Sequence, residues 1–334
     1  AYHLLLAGNL FCAIGMLVSF AIQGYGLYSI SLSSMSLLLS FVFVFFYLSD
    51  VNRSKQVGIK NWFRAALIFN VISSFGTASL VYMMATKNLE QHSYLASVYW
   101  YLHFQYNGWF FFACMGLLHS YLHRLNPAYD GLPKVFWLFV VSCIPAYGLS
   151  VLWLELPVWL IVLISIAAIA QFWGWVSLLL SIKNDSMIES SGADWLMKLL
   201  LAIVAFAATI KITLQLGSTI PAVSKLAFGF RPIVIAYLHL VLLAVTSLFL
   251  ITHAYGLGLI KNNKLSIFGI LLFVVGVFAN ELVLAVQGIA SFSYTMVPYI
   301  NEILFGVSIW MWLSLLILLA AQLLTNITRK CRGL

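Results

Sequence analysis

Charge is what this sequence has least of. Only 8% of its 334 residues are Asp, Glu, Lys or Arg, against roughly 25% in an average soluble domain. Too few polar side chains exist to cover a surface in water, so a water-soluble fold is excluded. Cysteine is equally sparse. Cys12, Cys114, Cys143 and Cys331 form no CxxC or other metal spacing, and three of them lie inside apolar runs, where small buried packing residues are expected. There is no convincing internal repeat and no stretch long enough for a separate soluble domain. The chain opens at Ala1-Tyr2-His3 and enters an apolar run at once, so no cleavable signal peptide is expected; a processed start is compatible with that opening.

What the sequence does have is hydrocarbon: 63% of residues are apolar and 16% aromatic. In a bilayer every backbone N–H and C=O must bond inside the protein. Helices achieve this one segment at a time, and their signature is a continuous apolar run of about 20 residues; barrels need alternating strands instead. The runs here are continuous. They fall near 4–24, 31–49, 62–85, 98–122, 135–153, 158–182, 196–216, 232–254, 265–287 and 302–325. The expected fold is all-α, one integral membrane domain over 1–334, a polytopic bundle of about ten transmembrane spans.

The net charge of +8 does not point to nucleic acid, because the basic residues sit in short loops rather than on a soluble face. Arg53, Lys55, Lys60, Arg64, Arg124, Lys134, Lys183, Lys198, Lys261, Lys264, Arg329, Lys330 and Arg332 follow even-numbered spans. Only Lys87, Lys225 and Arg231 lie on the opposite side. By the positive-inside rule both termini are cytoplasmic, and the bias itself favours an even span count. The expected location is a bacterial inner membrane, and the expected partners are lipid and other subunits of a respiratory complex. Trp100, Trp109, Trp153, Trp159, Trp310 and Trp312 fall mostly near predicted interfaces, as an aromatic belt does.

Polar residues inside spans are costly and hence functional candidates. His103 and Asn107 stand at i and i+4 in Tyr99-Trp100-Tyr101-Leu102-His103-Phe104-Gln105-Tyr106-Asn107-Gly108, one above the other on a helix. His239 occurs in Arg231-Pro232-Ile233-Val234-Ile235-Ala236-Tyr237-Leu238-His239-Leu240, at a similar expected depth. Two imidazoles at one depth could clamp a haem iron. A lone membrane histidine more often bonds a neighbouring helix, but the depth-matched pair brings the two readings level. His119 and His123, beside Arg124, read as interfacial residues. His253, 14 residues after His239, is expected on nearly the same helical face. Lys211 is expected to snorkel outward from the seventh span or to serve a proton path. Glu281, beside Asn280, is the one carboxylate deep in a predicted span and the other proton-path candidate.

The segment Trp-x-x-His-x-x-x-Asn-Gly at 100–108 resembles the sixth-helix motif of nitric oxide reductases in the haem-copper oxidase superfamily. There a glutamate stands where this chain has Asn107. Tyr237-Leu238-His239-Leu240 resembles the tenth-helix His-x-His-Leu segment of the same superfamily, with His239 at the low-spin haem position and Tyr237 at the high-spin one. The two segments lie four helices apart in both. The resemblance implies haem b, with His103, Asn107, Tyr237 and His239 at the cofactor and His103 and His239 as candidate iron ligands. The superfamily's seventh-helix His-His pair has no counterpart in 135–153, and its second-helix histidine has none unless His3 provides it. The expectation is therefore a haem-binding electron-transfer protein or a degenerate oxidase-like subunit, not an active reductase. The alternatives are a cofactor-free accessory subunit and, ranked last, a proton or small-solute transporter. A transporter would be expected to break two spans at corresponding positions, and no such symmetric interruption is visible.

Overall fold

A computed structural model describes residues 2–24, 26–53, 57–129, 131–184 and 194–332, less the side chains of 52, 53, 57 and 325–332. Lys55 and the side chains of Arg53, Arg329, Lys330, Cys331 and Arg332 thus lie outside the described residues. Helix accounts for almost everything described, and no strand occurs among the described residues. Eight helices are long and apolar enough to cross a membrane, nine if one bent pair forms a single span. Several long apolar helices of this kind make the chain an integral membrane protein. The remaining expected segment, 98–122, is also helical, running unbroken from Gln91 to Leu125. It is not among the apolar helices because His103, Gln105, Tyr106 and Asn107 dilute its hydrocarbon content.

The chain packs as two units, Ala1–Gly116 and Leu117–Leu334. The first unit holds α1 (Tyr2–Gln23), α2 (Leu27–Arg53), α3 (Val57–Ala85), α4 (Gln91–His103), a π-helical segment (Phe104–Phe110) and the start of α5 (Phe111–Leu125). Each helix packs on the next: α1 on α2, α2 on α3, and α3 on α4 and the π segment. Lipid tails give no hydrophobic drive for such contacts, so close backbone approach over small residues supplies the van der Waals energy. Gly76 of α3 shows it. A methyl group there would lie 2.5 Å from the Ser97 carbonyl oxygen and 2.8 Å from the Tyr101 nitrogen.

The second unit continues with α6 (Gly131–Cys143), a 3₁₀ segment (Pro145–Val151), α7 (Val158–Asn184), α8 (Trp195–Gly217), α9 (Pro221–Gly229) and α10 (Arg231–His239). It closes with a second π segment (Leu240–Ser247), α11 (Leu248–Gly256), α12 (Lys264–Phe292) and α13 (Ile300–Arg332). Here α6 packs on α7, α7 on α8, α8 on the second π segment and α11, α10 on α12, and α12 on α13. The predicted straight span at 135–153 is instead broken and bent by 50°. Pro145 opens the 3₁₀ piece; it has no N–H to give the turn before it, and its ring crowds that turn. The piece is held by packing: Ala146 and Leu149 join Ile164, Ala167 and Ala168 of α7 in a buried cluster covered by Leu216 of α8.

One carboxylate fixes how three helices end. Asp194 caps α8 by accepting from the Met197 N–H at 2.9 Å. Its second oxygen accepts from the Asn262 amide at 3.0 Å and from the Tyr255 hydroxyl. Asn263 in turn caps α12 through the Ser266 N–H, and Gln322 of α13 accepts from the Lys261 N–H and donates to Ser266 Oγ. The α11–α12 connection is therefore pinned on both sides.

Substituting Gly76 with valine should lower the thermal unfolding midpoint in detergent, in line with the ~1–3 kcal/mol cost of overpacking a tight contact. Gly306→Ala is the control, since nothing lies within 4 Å of a methyl there. Equal midpoints for the two variants would refute the tight α3–α4 contact.

Candidate functional site

Both candidate histidines stand where an α-helix passes into a π segment. His103 is the last of the 13 residues of α4, and His239 the last of the nine of α10. At 1.5 Å rise per residue these positions lie about 18 Å and about 12 Å along their own helices. A π turn inserts a residue into the i→i+4 ladder and occurs frequently at functional sites. In the second segment the widened turn is supported by hydroxyls: Thr246 Oγ1 donates to the Val241 carbonyl at 2.9 Å and Ser247 Oγ to the Leu242 carbonyl at 2.8 Å, each five residues back.

The geometry around His239 decides its tautomer. Nδ1 lies 2.9 Å from the Ile235 carbonyl oxygen. A carbonyl can only accept, so Nδ1 carries the proton and Nε2 keeps its lone pair. That is the arrangement of a metal-binding imidazole, one ring nitrogen oriented by a backbone carbonyl and the other presented to the metal. His239 therefore fits an axial haem ligand. Tyr237, two residues earlier, is half-buried and lies one turn beyond Ile233, where α10 meets α12: a methyl on Gly288 would be 3.3 Å from Ile233 Cγ1.

His103 is set differently. It is 3% exposed, and its Nδ1 faces the Asn107 amide nitrogen at 3.3 Å. With that amide donating, Nδ1 is the acceptor and Nε2 carries the proton. Ligation through Nε2 requires the amide turned over, so that its oxygen accepts from Nδ1–H. The surroundings are aromatic. The ring meets Phe104 edge-on at 5.0 Å, and Phe104 packs with Trp100 at 4.7 Å and Phe69 at 5.8 Å.

Beside this histidine lies a polar network that hydropathy does not single out. Gln105 Nε2 donates to Asn70 Oδ1 at 2.9 Å and to Ser73 Oγ at 2.6 Å, and Asn70 Nδ2 donates to Ser40 Oγ at 2.6 Å. Asn70 and Ser73 are buried. Their signal in the sequence is only a few polar letters in the long apolar runs of α2 and α3, which packing serines produce equally well.

Lys211 does not snorkel. It is 6% exposed, and its amine lies near enough to the Cys143 thiol, at the broken end of α6, for the two to interact electrostatically. Gln215, one turn further along α8, has its Oε1 buried with no hydrogen-bond partner. Glu281 takes the amide of the buried Asn280 at 3.4 Å. No ion pair joins Lys211 to Glu281 among the described residues, so the two proton-path candidates are not one cluster. The expected alignment of His253 with His239 also changes. A π turn holds about 4.4 residues, so each residue of Leu240–Ser247 rotates the helix roughly 18° less than an α residue would. Over that segment the shortfall is large enough to carry His253 to the opposite face. Its ring instead stacks on Phe249, with centroids 6.0 Å apart.

Among the described residues no group of three or more His, Cys, Asp or Glu is arranged to hold a metal ion; a haem needs only one or two axial side chains. Comparison with models of known protein families finds no match, and no curated protein matches the sequence.

Replacing Gln105 with leucine strips two buried acceptors of their donor. Stability to heat or denaturant in detergent should fall by about 1–3 kcal/mol. An unchanged midpoint would show that Asn70 and Ser73 need no partner from the π segment.

Proposed function

We propose that this chain is a haem b-binding electron-transfer protein of a bacterial inner membrane, or a degenerate oxidase-like subunit of a respiratory complex. In this reading it has ten spans with both termini cytoplasmic, counting Gln91–Leu125 and the bent α6 pair as one span each. The observation that carries the proposal is His239, whose Nδ1 proton is committed to the Ile235 carbonyl and whose Nε2 is left as a donor to iron. Bound haem supplies one-electron chemistry at its iron. The chain supplies the oriented imidazole and an apolar helix around it. His103 belongs to the other unit and is a separate candidate, with Asn107 setting which of its ring nitrogens is protonated. Tyr237 lines the approach on the α12 side of α10.

Purified protein should show a b-type absorbance band in a reduced-minus-oxidised spectrum. His239→Ala should abolish it. A colourless native protein that takes up no added haem would sink the proposal.

A transporter reading has one observation in its favour, the break of α6 at Pro145 beside the buried Lys211, since interrupted spans line substrate sites in transporters. It calls for solute- or proton-driven flux in vesicles that Lys211→Met or Glu281→Gln removes. An accessory-subunit reading draws on α1, α2 and α13, which expose most of their apolar side chains to lipid and to any larger subunit.

A further inference from the structure

Two basic side chains, Arg124 and His253, meet where α5 and α11 end, and His123 stands beside Arg124 in sequence. The two helices touch, since a methyl on Gly256 would lie 3.2 Å from Tyr121 Cε2. Arg124 stands one turn past Tyr121, and His253 one turn before Gly256. The Arg124 charge accordingly acts on the His253 ring, and His119 and His123 interact across one turn of α5. Among the described residues no carboxylate bonds to Arg124, His123 or His253. Asp194, whose charge acts on Tyr121, is already committed to Met197, Tyr255 and Asn262. One turn deeper, His119 is 4% exposed and its buried Nδ1 has no hydrogen-bond partner.

We propose that this cluster binds a phosphate-bearing anion, and that its natural occupant is the headgroup of an anionic glycerophospholipid. The guanidinium of Arg124 suits two phosphate oxygens at once. His123 and His253, both half-buried, add donors from either helix. The cluster lies at the span ends where most of the Lys and Arg of the chain are found, and basic recesses between helices on that side of a membrane bind anionic headgroups. An anion there bridges Arg124 and His253 and so ties α5 to α11. The site makes no use of His103 or His239, so it stands or falls apart from the haem reading.

The test is native mass spectrometry of the full chain with phosphatidylglycerol, phosphatidylcholine and inorganic phosphate as probes, paired with melting in phosphatidylcholine micelles. The native chain should retain phosphatidylglycerol on the order of tenfold better than phosphatidylcholine. Arg124→Gln/His253→Gln should lose that preference while melting in phosphatidylcholine as the native chain does. If the double variant does not fold, Arg124→Lys decides: it keeps the charge but not the fork, and should weaken the preference severalfold. Protection from melting by inorganic phosphate without any lipid preference would support the phosphate site and overturn the lipid as its occupant. Asp130, Asp185 and Glu189 lie outside the described residues. If one of them fills the cluster, the native chain will bind neither probe and Asp130→Asn/Asp185→Asn/Glu189→Gln will bind both, which overturns the proposal. Equal retention of both lipids by the native chain, with no effect of phosphate, overturns it too.

Discussion

Everything in this structure follows from the cost of an unbonded peptide group in hydrocarbon. With no water to fall back on, each N–H and C=O must find a partner within the protein. Helices close that requirement locally, so the departures from plain helix are informative. There are three: the Pro145 break and the two π segments. Each occurs where other groups take up the disturbed backbone or compensate for it. Packing of Ala146 and Leu149 on α7 holds the first, and the hydroxyls of Thr246 and Ser247 serve the π segment after His239. The π segment after His103 sits in a setting of buried aromatics and amides.

The same constraint explains the placement of the candidate chemistry. A π turn spreads consecutive side chains differently from an α turn, so a histidine at its edge can be oriented by its own helix. His239 is oriented in this way through the Ile235 carbonyl. His103 faces a side-chain amide, Asn107, rather than a backbone carbonyl. The two histidines look equivalent as letters and differ in what fixes their protons.

The apolar runs were legible because hydropathy is a property of composition, and they became helical, with the run 135–153 broken at Pro145. Less was legible where structure depends on pairings that composition does not encode. Pro145 lies inside the run 135–153, yet the run's apolar content made it read as one straight span. The short helix α9 falls in a stretch that looks like a connection. Neither π segment carries a local signature that periodicity can detect, so the expected facing of His239 and His253 fails for a reason that no count of residues between them reveals. Lys211 was expected at the boundary because lysines usually reach it; it is instead buried beside Cys143, at the broken end of α6. His103 and His239 themselves were visible from the rarity of imidazole in apolar helices.

The neighbour-to-neighbour order of contacts has a consequence for biogenesis. Because α1 packs on α2, and α12 on α13, these pairs form as soon as their second member has been synthesised. Little of the bundle has to wait for a distant part of the chain, and loop closure costs stay small. Assembly can thus proceed in step with insertion, hairpin by hairpin. The pinned α11–α12 connection, tied to Gln322 of α13, is then a latch that closes only when the last helix has arrived.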